Sequence, residues 1–366
     1  MNSIISYYEH RSSRNATQYI GDDLGQFGAK YFGMALAING CLYCTPWNGE
    51  RVLKIDPTND TTTFIGSIFI GNSKWIGMAA HTNGKLYAAR NSRASILEID
   101  PLTDTTREIP APFAMARNLN FHPNGKFYSN PTNIFGHWIE FDPINETFIQ
   151  LPLMDPAIAV DGGSGLRWSV FGLDNKLYTG VANTRRVIRY DPVTGIYDTA
   201  QDTFIGGNNS HWGNCVGHNG EIVFANHIDG GLTQILIPST REYITNPSGR
   251  QQANDAGSSG NYAISPAPNG RFYTAPQGRQ RPVEVFNYTS ISGVNFPYRN
   301  KPLGIRLEPI ASKYGSIKAA GNASLYLAPL QSSRVLKIND CGTFANFSEV
   351  YSFNSNNEPT VYMRGL

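Results

Sequence analysis

Residues 39–66, NGCLYCTPWNGERVLKIDPTNDTTTFIG, are followed at Asn83 by a near copy, NGKLYAARNSRASILEIDPLTDTTREIP. Similar segments begin at Asn124 and Asp174, and looser ones at Asn219, Asn269 and Asn322. The second apolar residue after each turn marks the register, at Tyr43, Tyr87, Tyr128, Tyr178, Val223, Tyr273 and Tyr326, with gaps of 44, 41, 50, 45, 50 and 53 residues. A repeat of this size is one supersecondary unit whose loops vary in length.

Local rules build the unit. Asn-Gly accepts the positive φ angles of a tight hairpin turn, joining a run such as GMALAI to one such as KLYAA. RVLKID, SILEID and RVIRYD then alternate apolar with polar residues, as a third strand does. Asp-Pro-x-Thr ends it, because Pro cannot continue a ladder and Asp and Thr bond their own backbone in turns. A fourth strand such as TTREIP completes the unit. Seven such units predict an all-β fold, a seven-bladed β-propeller of four-stranded antiparallel blades.

The chain has 366 residues, with 36 Gly and 22 Pro suited to many turns and no Pro/Gly/Ser linker between repeats. One propeller at 17–346 is therefore expected, with an N-terminal extension at 1–16 and a C-terminal tail at 347–366. TQYIG at 17–21 resembles a fourth strand without a blade of its own, and pairing it with the last repeat would close the ring and cover an edge. The tail would be left over or compete for that place. The first residues lack the pattern of a signal peptide, and no run reaches the roughly 20 apolar residues of a membrane span.

The four cysteines, Cys41, Cys44, Cys215 and Cys341, are read as buried thiols. Cys41 and Cys44 lie three apart on a strand and so face opposite sides, against metal or redox use. No metal, cofactor or catalytic set is expected. The repeat geometry assigns an acidic surface to the turns, through residues such as Asp56, Asp60, Asp100, Asp104 and Glu146. An Arg-rich surface falls to the opposite loops, through Arg51, Arg90, Arg93, Arg185, Arg186, Arg279, Arg281 and Arg334. Aligning the repeats also brings Tyr31, Trp75, Arg117, Arg167, Trp168, His211, Trp212, Tyr262 and Tyr314 near the start of the innermost strands, at the channel mouth. Aromatics beside Arg and His can stack on sugar rings and bind acidic groups. The same aromatics can instead serve as wedges between blades, as Tyr43 and its equivalents are expected to do.

The repeats, with their loose NGxLY…VxxIDPxTG pattern, resemble the NHL, senescence-marker-protein-30 and streptogramin-lyase-like propellers. The lactonases of that group imply Glu, Asn and Asp on the axis, whereas here Asp161 is the nearest acid; the His-and-Glu arrangement of the lyases is not visible either. Charged residues make up 16% of the chain and the formal net charge is +2. Abundant Asn, Gly, Ser, Thr and Tyr look like extracellular adhesins and virus or phage appendages. The expectation is a non-enzymatic recognition or assembly module, a virion or extracellular surface component, binding a glycan or anionic ligand or a structural protein partner on its loop face. Nucleic acid is not expected as a partner. The alternatives are a hydrolase or lyase with its site on the axis, and an intracellular scaffold.

Overall fold

The computed structural model describes residues 16–25, 28–115, 117–133, 135–159, 165–182, 186–201, 211–226, 234–245, 261–276, 283–287, 301–303, 307, 310–339, 347–353 and 359–365. Among them, β1 (Thr17–Ile20) precedes six blades, each of four consecutive antiparallel strands. The first blade holds β2 (Tyr31–Leu36), β3 (Leu42–Pro46), β4 (Val52–Asp56) and β5 (Thr61–Ile65), and the next β6 (Trp75–Ala80), β7 (Leu86–Arg90), β8 (Ser95–Asp100) and β9 (Thr105–Pro110). Then come β10 (Asn120–His122), β11 (Lys126–Ser129), β12 (Ile139–Asp142) and β13 (Thr147–Gln150), followed by β14 (Gly165–Phe171), β15 (Leu177–Ala182), β16 (Val187–Asp191) and β17 (Ile196–Gln201). The last two are β18 (His211–Val216), β19 (Ile222–Asn226), β20 (Gln234–Ile237) and β21 (Glu242–Thr245), then β22 (Asn261–Pro266), β23 (Arg271–Pro276), β24 (Val283–Asn287) and β25 (Lys301–Leu303).

This corrects the expected seven blades to six, because the seventh repeat does not form a run of four consecutive strands. It supplies only β26 (Tyr314–Ala319), β27 (Leu325–Pro329) and β28 (Val335–Ile338), and its fourth strand is β1. Thr17 faces Ile338 and Ile20 faces Val335 across an antiparallel ladder. The tail does not compete for that edge. Its strands β29 (Phe347–Phe353) and β30 (Pro359–Gly365) pair with each other in a separate sheet.

Blades touch through their faces. Alternation along β3 sends Tyr43 to one side and Leu42 and Cys44 to the other. Tyr43 joins Trp75, Leu86 and Leu97 of the second blade, while Leu42 and Cys44 join Tyr326, Ala328 and Val335 of the composite sheet. That sheet packs its opposite side on Tyr273, Ala275 and Val283. The register residues Tyr43, Tyr87, Tyr128, Tyr178, Val223, Tyr273 and Tyr326 are all within 1% of full burial, as wedges are.

The repeated polar residues interlock the blades on the turn face. Asn39 donates to the Tyr43 hydroxyl at 2.9 Å and to Pro101 O of the next blade at 2.8 Å. The hydroxyl donates in turn to Asp104 at 2.9 Å, which also pairs with Lys54 at 2.6 Å. The composite sheet repeats the arrangement on the first blade: Asn322 donates to Pro57 O at 2.8 Å, and Tyr326 and Lys337 reach Asp60 at 2.8 and 2.7 Å. Asp60 and Asp104 occupy the left-handed region, with φ of 58° and 52°, a conformation that Asp tolerates better than most residues. NGxLY and IDPxxD are therefore two halves of one contact, supplied by neighbouring blades.

This pairing alters the expected charge pattern. Asp60, Asp104 and Glu146 are matched by Lys337, Lys54 and Arg107. Asp56 accepts from the Thr58 hydroxyl and amide, which hold its carboxyl below its usual range. On the loop side Arg90 donates to the Ala111 and Phe113 carbonyls, Arg93 to Ile70 O and Arg186 to Ile158 O, so these cations fasten connectors. Arg51 and Arg334 are exposed, whereas Arg185, Arg279 and Arg281 lie outside the described residues.

Cys41 and Cys44 sit in different clusters on opposite faces of their sheet, and with Cys215 are buried free thiols. Burial pushes the Cys44 and Cys215 thiols up. Cys341 and Asp161 lie outside the described residues.

Candidate functional site at the axis

The innermost strands β2, β6, β10, β14, β18, β22 and β26 line one axial column. Glycine lets them approach. A Cβ on Gly33 would lie 2.2 Å from Ile76 O, one on Gly77 2.5 Å from Arg117 O, and one on Gly315 2.7 Å from Phe32 Cα. These contacts run from β26 to β2, on to β6 and to the entry of β10, and any side chain there would push adjacent blades apart.

The expected mouth residues divide into two groups. Tyr31, Trp75 and Tyr314 are 2%, 0% and 0% exposed and pack inside interblade clusters, which corrects their assignment to a ligand surface. Trp75 Nε1 donates to Ser95 O at 2.8 Å, and its ring meets Phe69 edge-on at 4.8 Å with the Arg93 guanidinium above it at 5.5 Å. The Tyr314 hydroxyl lies 3.2 Å from Ser332 Oγ. These residues sit opposite second-strand positions, Tyr31 against Pro46, Trp75 against Arg90 and Tyr314 against Pro329, just before a bulge, and the blade interface takes their rings.

Arg117, Arg167 and Trp168 form the second group, and all three are half-buried. Trp168 stacks on Phe32 with centroids 5.9 Å apart and planes 13° apart. β14 and β2 belong to blades separated by those of β6 and β10, so this stack joins innermost strands that are not neighbours. Trp47 tilts against Phe32 at 5.6 Å. Trp168 Nε1 is buried and has no hydrogen-bond partner among the described residues. Burial lowers the Arg167 pKa, since desolvation disfavours the charged form. The side chains of His211, Trp212 and Tyr262 lie outside the described set.

Phe32 is absent from the expected mouth residues, although it directly follows Tyr31 and shares its strand. A further signal in the sequence points to the same region: Lys30, Lys74 and Lys313 each precede an aromatic at the start of an innermost strand. They are 0%, 1% and 1% exposed. Lys30 N donates to Leu330 O at 2.7 Å and Lys74 N to Trp47 O at 3.0 Å, so each fastens its strand to the preceding unit. The Lys74 ammonium donates to Gly71 O at 2.6 Å, and burial with nearby Arg93 lowers its pKa to about 8.

Beyond the stack, polar side chains collect on one arc. Ser169 Oγ donates to Asn130 Oδ1 at 2.6 Å and accepts from Asn120 Nδ2 at 2.7 Å. Asn118 donates to Asn120 Oδ1 at 3.1 Å and Ser169 O at 2.7 Å, and Asn130 to Arg167 O at 2.9 Å. Asn214 donates to Trp168 O at 2.8 Å. Buried amides that satisfy one another in this way hold the backbone under Arg167 and Trp168 in a single arrangement. Among the described residues no three His, Cys, Asp or Glu side chains gather closely enough to hold a metal ion.

Comparison with known proteins supports the architecture alone. No protein-family model matches the sequence, and no curated protein matches it. Among solved structures, the chain resembles a streptogramin B lyase with a TM-score of 0.68 at 15% identity, covering 88% of this chain and 97% of that one. Hydrazine synthase of Kuenenia stuttgartiensis gives 0.65 at 14% identity, covering 89% and 99%. The extracellular domain of a protein described as a one component system of B. thetaiotaomicron gives 0.63 at 12% identity, covering 88% and 40%. The class is thus a β-propeller of four-stranded antiparallel blades, like the streptogramin-lyase-type propellers. These neighbours include enzymes and an extracellular domain, and they lend no support to the virion assignment.

Proposed function

We propose that this chain is a non-enzymatic recognition propeller that binds an acidic glycan at the loop-side mouth of its axis. The composite sheet counts in this reading as a blade in its own right and closes the ring. The observation that carries the proposal is the Phe32–Trp168 stack, reached from two blades that are not neighbours, with the half-buried Arg117 and Arg167 near the entries of two adjacent innermost strands. Aromatic side chains and arginines on successive strand entries are the residue types that suit a sugar ring bearing carboxylate or sulfate. The described lining of the column contains no carboxylate or imidazole, which favours binding over acid–base chemistry. The extracellular domain among the structural neighbours fits a role outside the cell.

Titration calorimetry with sialyllactose and a sulfated heparin tetrasaccharide tests this reading. Binding is expected for at least one of them, weakened at least tenfold in Arg117→Ala/Arg167→Ala with melting unchanged. The recovered saccharide should keep its mass. Absent binding, or equal binding by the double variant, would refute the mouth site, and a cleaved product would establish the hydrolase or lyase alternative.

A further inference from the structure

Five turns between the first and second strands of a blade carry Asn-Gly, at Asn39, Asn83, Asn124, Asn219 and Asn269. Their backbones agree. The following glycines have φ between 76° and 84°, and each glycine N–H donates to the carbonyl three residues before it at 2.9 to 3.1 Å. Four of the five asparagine side chains are held at both ends. Asn39, Asn83, Asn124 and Asn269 donate from Nδ2 to the hydroxyls of Tyr43, Tyr87, Tyr128 and Tyr273 at 2.8 to 2.9 Å. Each Oδ1 accepts from the amide two residues on at 3.0 to 3.1 Å. Asn219 has neither hold among the described residues. Val223 stands where the others have tyrosine, so the acceptor for Nδ2 is gone. The donor for Oδ1 is taken: the Glu221 carboxylate accepts from the Asn219 amide at 2.9 Å and from its own. Asn219 is also exposed, so this turn keeps its backbone while its side-chain amide turns freely in water.

We propose that Asn219 is a modification site, the Asn-Gly turn at which the folded protein undergoes spontaneous deamidation first. The Gly220 nitrogen loses its proton to solvent and attacks Asn219 Cγ; the Cγ–Nδ2 bond breaks and ammonia leaves. Water then opens the resulting succinimide at either carbonyl, leaving aspartate or isoaspartate. Glycine favours the attack because no Cβ obstructs its nitrogen. For Cγ to swing over that nitrogen the side chain must leave its partners, which breaks two hydrogen bonds in four of the turns and none at Asn219. The glycine N–H is bonded alike in all five, so the side chain makes the difference. The isoaspartate product lengthens the main chain of a hairpin turn by a methylene and sets a new charge beside Glu221, which is 3% exposed. The register of β18 on β19, fixed by that turn, is what the change disturbs.

The test ages the full chain at mildly alkaline pH, folded and in urea, and follows each Asn-Gly peptide by mass spectrometry. In the folded chain Asn219 should react about tenfold faster than Asn39, Asn83, Asn124 or Asn269, the scale of the hydrogen bonds the others must break. In urea the five should react at similar rates. Tyr87→Phe keeps the buried ring and removes one hydroxyl, and it should speed reaction at Asn83 several-fold. Val223→Tyr supplies the missing hydroxyl and should slow Asn219. Equal rates in the folded chain, an advantage for Asn219 that persists undiminished in urea, or an unchanged Asn83 in Tyr87→Phe would overturn the proposal. If Val223→Tyr does not fold, Tyr87→Phe and the comparison with urea decide. No mouth residue enters these readouts, so they stand whether or not the glycan binds.

Discussion

Trp75 and Trp168 stand near the starts of equivalent innermost strands, yet one is a wedge and the other a bridge between blades that are not neighbours. Trp75 satisfies its indole N–H on Ser95 O and disappears between two blades. Trp168 falls two places further along the repeat, where other strands carry Gly33 and Gly77, and it meets Phe32. The same contrast separates the turn rim from the loop mouth. The rim is made of residues that recur in register, each filling a slot its neighbour provides; the mouth is made of those that break the register. Recurrence reports on how blades dock, and departures from it mark where this propeller differs from a plain ring.

The largest effect should come from opening the rim. Deleting residues 1–22 removes β1 and leaves β28 as a bare edge, with four ladder positions unpaired. A loss of several kcal/mol is expected, at about 1–3 kcal/mol for each buried group left unsatisfied. Denaturant melts of the truncated and full chains measure it, and equal midpoints would mean that β1 is dispensable.

The two tryptophans provide the direct comparison. Trp75→Ala empties a fully buried site and should cost about 3–5 kcal/mol. Trp168→Ala removes a half-buried ring whose indole N–H has no partner among the described residues, and should cost clearly less. Comparable losses in urea titrations would make Trp168 as much a wedge as Trp75 and erase the distinction between mouth and rim.

A smaller effect concerns pH. Lys74 has a folded pKa of about 8 against 10.5 when exposed, lowered first by burial and then by Arg93. The unfolded chain then binds more protons between those values, so the penalty of burying the ammonium is full below pH 8 and fades as pH rises to 10.5. Lys74→Met should be more stable than the wild type at pH 7, by on the order of 1.4 kcal/mol for every tenfold weakening of proton binding on folding, and the gap should narrow by pH 10. A gap independent of pH would show that Gly71 O stabilises the charged form as well as water does.

Much of this was legible in the chain. The NGxLY and IDPxxD motifs gave the strands, the turns, the wedge tyrosines and the pairing of residues 17–20 with the last repeat, because each depends on φ preferences and alternation that recur every 41 to 53 residues. The composite nature of the last sheet could be inferred because an orphan fourth strand resembles the others. Site residues were less legible. Tyr31, Trp75 and Tyr314 share a composition with a binding rim, but a bulge and the close approach permitted by glycine turned them into the core.

Sequence by itself thus determined the blade, its order of strands and the polar residues that join one blade to the next, since all of these act over short spans or between successive repeats. Only the tertiary structure decided which acids are matched by cations and which aromatics meet near the axis. Those outcomes depend on residues from blades that are not neighbours, such as Phe32 and Trp168, whose meeting is fixed by the curvature of the assembled blades and by no local pattern.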